Sequence, residues 1–171
     1  STITSLDKLQ LFGNKMIPAT SGELASGLVG EGRMAEPQDI MSFIENDILS
    51  TLPLKGKKVL VTAGPTYEAI DPVRFIGNHS SGKMGFEIAK AAANLGAEVF
   101  LITGPSEEKE NNTLIKRINV VTAEEMYKAC HHYFHEVAIA VLSAAVADYK
   151  PKKVATEKIK KKDTTLEIEL A

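Results

Sequence analysis

Three glycines, two serines and a lysine fall within the stretch Gly77-Asn-His-Ser-Ser-Gly-Lys-Met-Gly85. Small residues let a backbone approach a ligand closely, and hydroxyl and ammonium groups supply hydrogen-bond donors. The stretch opens into a helical pattern in which Met84, Ile88, Ala92 and Leu95 recur and Gly96 stops the run. A helix start leaves N–H groups unpaired and carries partial positive charge, so an anion is favoured there. The spacing nearly spells a P-loop, with Gly77 followed by four residues and then Gly82-Lys83. Met84, however, stands where a P-loop needs Ser or Thr for magnesium. The strand Val59–Ala63 also ends well before Gly77, whereas a P-loop follows its strand at once. The chemistry indicated is phosphate binding of a non-P-loop kind. The plainer alternative is a glycine-rich turn that caps a helix.

Other residues offer chemistry at the ends of apolar segments. The loop Gly64–Ser81 exceeds the usual strand-to-helix connection of about 2–6 residues. It contains Asp71-Pro72-Val73-Arg74, in which Arg74 either faces a phosphate or carboxylate or pairs with Asp71. A second loop starts at Gly104-Pro105-Ser106 and runs through acidic and asparagine residues to Asn112, as a solvated turn would. In Ser143-Ala-Ala-Val-Ala-Asp-Tyr149, small residues would let a flat ring lie on the backbone. Asp148 would then hold a hydroxyl, a base or a metal, or else cap a turn. Glu157-Lys-Ile-Lys-Lys-Lys162 is either a solvated basic face or a mobile flap that closes on a triphosphate. His131 and His135 stand one helical turn apart, but no third ligand accompanies them, so no metal is assigned. Cys130 reads as a packing residue.

The elements that must position these residues come in two sets. Residues 4–12 predict a short helix, Met16–Pro18 a brief strand, and residues 20–37 a loop bent by Gly22, Gly27, Gly30 and Gly32. Pro37 starts a helix with Ile40, Met41, Ile44 and Ile48 on its apolar face. Residues 51–56 read as a linker. From there the pattern is strand 58–63, helix 82–95, strand 98–103, strand 115–121, and a helix opened by the capping box Thr122-Ala-Glu-Glu125. The unbroken apolar run Val137–Ala145 predicts a strand buried on both faces. Leu166, Ile168 and Leu170 alternate with Glu167 and Glu169 as in a half-exposed strand. Strands alternating with helices give an α/β fold, a Rossmann-like and mostly parallel sheet with helices on both faces, expected to be truncated at the C-terminus. Ligands of such sheets sit beyond the carboxyl ends of the strands.

The totals restrict the partners. The chain has 171 residues, is 44% hydrophobic and carries a formal charge of −2, so no global charge attracts nucleic acid or an acidic membrane. A single cysteine excludes an internal disulfide. No apolar run is long enough for a membrane helix, and a cytoplasmic location is expected.

Five motifs carry a resemblance: Thr62-Ala-Gly-Pro-Thr66, Ile70-Asp-Pro-Val-Arg74, Asn78-His-Ser-Ser-Gly-Lys-Met-Gly85, Ala144-Ala-Val-Ala-Asp148 and Glu157-Lys-Ile-Lys160. Together they resemble the bacterial phosphopantothenate–cysteine ligase of coenzyme A biosynthesis. Gly22–Gly27, Gly30–Met34 and Glu36-Pro37 look like the end of the flavin-dependent phosphopantothenoylcysteine decarboxylase, often fused to that ligase. The resemblance implies a decarboxylase remnant with linker at 1–52 and the N-terminal part of the ligase domain at 53–171. It implies CTP as a substrate with Mg2+, 4′-phosphopantothenate and cysteine as the joined partners, and FMN in the full-length decarboxylase. It also implies a ligase homodimer and a higher homo-oligomer of the longer protein, with no nucleic acid or membrane partner.

By the same resemblance, Asn78 engages the acyl-cytidylate and Lys158 serves its formation. Leu142, Ser143 and Ala144 read the cytosine, Asp148 contacts ribose or base, and Gly64, Ser80, Ser81 and Gly82 join Asn78 around phosphate. Ser26 stands where the decarboxylase has its catalytic cysteine, and a serine hydroxyl is a far poorer proton donor. An NAD(P)-dependent reductase would need a glycine fingerprint directly after strand 58–63 and an acid ending strand 98–103. Gly64-Pro65-Thr66 and Thr103-Gly104 offer neither. A non-catalytic nucleotide-binding module is the remaining rival.

Overall fold

The computed structural model describes residues 2–23, 29–161 and 165–171. Two units divide the chain, Ser1–Thr51 and Leu52–Ala171. The first contains α1 (Thr2–Leu11), β1 (Thr20–Glu23), β2 (Val29–Arg33) and α2 (Pro37–Ser50). The expected strand at Met16–Pro18 does not form. The expected loop 20–37 instead holds an antiparallel hairpin of β1 with β2. Gly22, Gly30 and Gly32 lie within its strands, and Gly32 takes φ 123°, a backbone conformation L side chains rarely adopt. Pro37 occupies the first turn of α2, where its missing N–H costs nothing.

The second unit contains β3 (Lys58–Ala63), β4 (Tyr67–Ala69), β5 (Phe75–Gly77), α3 (Lys83–Asn94), β6 (Glu98–Thr103), β7 (Ile115–Asn119), α4 (Ala123–Phe134) and β8 (Ile139–Leu142). Strands β7, β6, β3 and β8 form a parallel sheet in that order. Alternation along β3 divides its side chains between two cores. Val59, Val61 and Ala63 pack with Phe86 and Ala89 of α3, while Leu60 packs with Met126 of α4. One helix therefore covers each face, and the Rossmann-like α/β class holds. The capping box of α4 forms as its sequence requires, with the Thr122 hydroxyl accepting from the Glu125 N–H and the Glu125 carboxylate accepting in return.

Three further expectations are corrected here. The apolar run 137–145 is not a strand buried on both faces. β8 is the sheet edge, and Leu142 is 73% exposed. An apolar run records that a strand suits cover on both sides, but among the described residues only β3 pairs with it. The alternating segment 166–170 makes no strand of its own; a single bridge joins Leu170 to Pro151, and Lys152 pairs with Glu169. Three backbone hydrogen bonds flank it, Lys150 N–H to the Ala171 carbonyl (3.1 Å), Ala171 N–H to the Lys150 carbonyl (2.8 Å) and Lys152 N–H to the Glu169 carbonyl (2.9 Å), so the pairing covers residues 169–171 against 150–152. Of residues 51–56, read as a linker, all but Thr51 are built into the second unit, where the Leu54 N–H donates to the Leu95 carbonyl (2.9 Å) and Leu54 packs on the core.

Candidate functional site

At the carboxyl ends of β3 and β6 the backbones of three loops crowd together. Gly104 lies so close to Pro65 that a Cβ on it would sit 1.6 Å from the Pro65 carbonyl oxygen. Gly82, with φ 81°, would bring a Cβ to 3.0 Å from the Gly64 nitrogen. Gly64 itself takes φ 72° and faces the Gly104 carbonyl. This crowding seats the start of α3 against the sheet. Gly85, on the first turn of α3, would place a Cβ 2.5 Å from that of Ala63. The Ser80 hydroxyl accepts from the Gly82 N–H (3.2 Å) and the Ser81 hydroxyl from the Lys83 N–H (3.3 Å). Ser106 ties in the second loop by donating to the Ser81 carbonyl (2.6 Å). The loop 104–112 is thus more than a solvated turn: its first residues brace the Ser80–Gly82 segment, and Arg117 holds its Glu108 carbonyl (2.7 Å).

The loop after β8 is sewn to the end of β3 by two buried threonines. The Thr62 hydroxyl accepts from the N–H groups of Ser143 (3.0 Å) and Ala144 (3.2 Å). Ser143 donates its own hydroxyl to the Thr62 carbonyl (2.6 Å), and the Thr66 hydroxyl accepts from the Ala147 N–H (2.8 Å). Two backbone exchanges add to the seam, Ala145 N–H to Gly64 carbonyl and Thr66 N–H to Ala145 carbonyl. Asn78 closes the arrangement by donating its side-chain amide to the Val146 carbonyl (2.8 Å). The segment Asn78–Gly82 and the segment Leu142–Asp148 therefore meet. Because Thr62 is 3% exposed, Thr62→Val leaves two sheltered N–H groups without an acceptor at nearly constant volume. The expected loss is about 2–3 kcal/mol, read from the urea unfolding midpoint, against a negligible loss for an exposed threonine such as Thr51.

Beside that seam lies a cavity of about 720 Å³, lined chiefly by apolar groups of β3, α4 and the 142–150 loop. Leu142, Ala144 and the exposed Asp148 line it together. Glu68 lies on its wall, 8% exposed, with its carboxylate accepting from the Ala123 N–H (2.8 Å) at the start of α4. There the helix's partial positive charge favours it. Cys130 reaches the cavity from α4 but packs on the Leu60–Ile102 core, and burial raises its thiol above the ordinary value. His131 lies against the Tyr127 ring, with centroids 4.3 Å apart. Among the described residues no three metal-ligating side chains converge.

Arg74 pairs with Asp71, through Nη2 to Oδ2 (2.6 Å) and Nε to Oδ2 (3.0 Å). The first of its two readings, an open anion contact, thereby gives way to the internal pair. Lys158 lines a separate groove with Val73, Arg74 and Ile159–Lys161, outside the cavity that holds Leu142 and Asp148. Its backbone neighbour Ile159 is anchored on the Asp71–Arg74 pair, so the lysine segment is docked there. Ser26 lies outside the described residues. Sequence reasoning gave no role to Thr62, Thr66, Glu68 or Ser106. The signal was present for the threonines, which bracket the Gly64-Pro65 turn, and for Ser106, which follows Gly104-Pro105 at a strand's carboxyl end.

Residues 54–171 match the family described as DNA/pantothenate metabolism flavoprotein C-terminal domain. A Haemophilus influenzae relative named coenzyme A biosynthesis bifunctional protein CoaBC is 45% identical over 169 residues, covering 99% of this chain and 42% of the relative. A relative from an unidentified prokaryote, named cysteine/cysteine sulfinic acid decarboxylase, is 47% identical over 165 residues, 94% of this chain and 46% of its own length. The chain thus spans less than half of these curated relatives. The crystal structure of the C-terminal domain of a CoaBC protein superposes with a TM-score of 0.59 at 43% identity, covering 71% of this chain and 56% of that one. A DNA/pantothenate metabolism flavoprotein from Streptococcus pneumoniae gives 0.61 at 26% identity, covering 68% and 60%.

Proposed function

The chain belongs to the family of the DNA/pantothenate metabolism flavoprotein C-terminal domain, and from that premise we propose that it serves coenzyme A biosynthesis as part of a CTP-dependent phosphopantothenate–cysteine ligase. The observation that carries the reading is the Asn78–Val146 hydrogen bond, which joins an anion-favouring helix start to a loop of small residues at the carboxyl end of a parallel sheet.

A carboxylate resists attack by an amine until its oxygen becomes a good leaving group. In the proposed first step, the carboxylate of 4′-phosphopantothenate forms a bond to the α-phosphorus of CTP, and pyrophosphate leaves. In the second, the deprotonated amine of cysteine attacks the acyl carbon, CMP leaves, and the amide forms. Negative charge gathers on phosphate in the first step, so a cation and fixed N–H donors stabilise its transition state. Lys158 supplies the cation, and the loop Asn78-His79-Ser80-Ser81-Gly82 with Gly64 lines the phosphate, the Ser80 and Ser81 hydroxyls being donors that only accept within the loop. The N–H groups of Ser143 and Ala144 are already held by Thr62. Cytosine recognition at Leu142–Ala144 therefore falls to carbonyl oxygens, which suit its exocyclic amine. Asp148 remains an exposed carboxylate on the cavity wall, available to a ribose hydroxyl or base.

Magnesium fits this chain as an ion that arrives with the triphosphate, because such ions take one or two carboxylates beside substrate phosphates. Asp148 is the carboxylate that would share it. FMN and decarboxylation of the product are proposed for the adjoining domain of the longer protein. No helix of the described residues is long and apolar enough to cross a membrane. We place the enzyme in the cytoplasm as a homodimer of this domain, with a higher homo-oligomer for the longer protein.

The test is turnover by the full-length protein. With 4′-phosphopantothenate and CTP it is expected to release pyrophosphate, and with cysteine added to release CMP and amide in equal amounts. Calorimetry should show binding of CTP in preference to ATP or NADPH. Binding of NADPH instead, or ligation that needs no CTP, would sink the reading.

A further inference from the structure

We propose that Asp71 is a positioning residue for the ligase reaction, fixing the lysine segment around Lys158 against the loop that leads to Asn78. The proposal rests on the ligase reading above. Asp71 is distinctive because its side chain is wholly shielded from solvent while that of Arg74 is 40% exposed. A shielded carboxylate is costly unless every lone pair finds a donor. Here each does. Oδ1 accepts from the N–H groups of Val73 (2.8 Å) and Arg74 (2.8 Å). Oδ2 accepts from Arg74 Nε (3.0 Å), Arg74 Nη2 (2.6 Å) and the Ile159 N–H (3.1 Å).

The last of these bonds joins residues 88 positions apart. It does not act alone. Arg74 Nη2 also donates to the Ile159 carbonyl (2.8 Å), so both backbone groups of one residue are gripped by the Asp71–Arg74 pair. Four residues earlier, the Ala155 N–H donates to the Ile70 carbonyl (2.9 Å). A run rich in lysine would otherwise repel itself and stay extended in solvent. Three bonds instead hold it along residues 70–74, with Lys158 next to the gripped residue.

The other side of the same loop leads to Asn78. Ile70 and Asp71 donate their N–H groups to the Arg74 carbonyl, which closes the turn between β4 and β5. Tyr67 stacks on Phe75 across that hairpin, with centroids 3.9 Å apart. β5 ends at Gly77, one residue before Asn78. One carboxylate thus stands between the segment that carries the proposed triphosphate-binding lysine and the segment that carries the proposed acyl-cytidylate amide. Neither Asp71 oxygen is free to touch a substrate, which is why its role is to position. Its neighbours hold the carboxyl well below the usual carboxylate range, the Arg74 guanidinium foremost. The grip therefore persists across the neutral pH range in which the enzyme would work.

The test uses Asp71→Asn in the full-length protein, with two readouts. Amide hydrogen exchange of residues 155–161 is measured without ligand, and steady-state kinetics separate the KM for CTP from that for cysteine. Asparagine keeps the shape but cannot accept from both Arg74 and Ile159 at one atom that is now an NH2 group. Loss of protection at 155–161 is expected while β3 and β6 stay protected. The KM for CTP should rise by about tenfold or more, with the KM for cysteine within about twofold of the parent. Asp71→Glu keeps the charge and is expected to give intermediate values; it decides the matter if Asp71→Asn does not fold. Unchanged exchange at 155–161, or freed exchange with an unchanged KM for CTP, would overturn the proposal. A parent enzyme that releases no pyrophosphate from CTP would instead refute the ligase reading, and the exchange measurement would still report on the grip.

Discussion

Gly104→Ala is expected to destabilise the second unit by about 3 kcal/mol, the upper end of what overpacking ordinarily costs. The reason is space rather than backbone conformation. Gly104 is not among the positive-φ glycines, so an alanine could adopt its backbone angles. Its Cβ, however, would sit 1.6 Å from the Pro65 carbonyl oxygen and 2.7 Å from the carbonyl carbon. Backbone atoms cannot rotate away as a side chain can, so the loops after β3 and β6 must part. Two hydrogen bonds lie in the path of that movement, Gly104 N–H to the Ala63 carbonyl (3.0 Å) and Thr103 hydroxyl to the Gly104 carbonyl (2.9 Å). Gly56 supplies the comparison. It takes φ 72° with nothing within 4 Å of an added Cβ, so Gly56→Ala meets only the left-handed conformational cost of about 1–2 kcal/mol. Urea unfolding of the two variants should rank Gly104→Ala as clearly the weaker. Equal midpoints would mean that the three loops do not meet as closely as described.

Lys158→Ala and Asn78→Ala are expected to fail at different steps. Lys158 carries a full charge, and its proposed partner is a triphosphate that gains charge as pyrophosphate departs. Removing it should slow pyrophosphate release by about 10²- to 10³-fold, the range seen when one transition-state donor is deleted. Asn78 is neutral and bonded to the Val146 carbonyl before any ligand arrives. Its loss should spare much of the first step and slow amide formation by about 10²-fold, so acyl-cytidylate accumulates. Rapid-quench experiments with labelled CTP distinguish the two, because one variant retains CTP while the other builds up an intermediate that cysteine consumes slowly. Parallel losses of pyrophosphate release in both variants would remove the division of labour. Retention of both steps by Lys158→Ala would place the triphosphate away from the docked lysine segment.

Much of the carboxyl end of the sheet could be read from residues alone. The strand at Lys58–Ala63, the helix at Lys83–Asn94 and the capping box at Thr122 follow from apolar spacing and side-chain capping, which are local. The loop Gly64–Ser81 announced itself by its length. The Asp71–Arg74 pair was one of two open readings because three residues of spacing permit it, but spacing is silent on whether an anion competes for the arginine. β8 was misjudged because hydrophobicity reports what a strand tolerates on each face, whereas its place at the sheet edge depends on which strand pairs with which. The hairpin of β1 and β2 was hidden because its glycines match a loop as well as they match two short strands.

Local preference, acting over a few residues, was enough to determine the parallel-sheet class and the helix start at Gly82 and Lys83. Only the tertiary structure decided that Thr62 holds the N–H groups of Ser143 and Ala144, that Asn78 reaches Val146, and that Asp71 grips Ile159. Those bonds join positions 68 to 88 residues apart. Their partners are set by how strands order themselves in the sheet, and a carboxylate or hydroxyl in sequence carries no mark of which distant N–H it will meet.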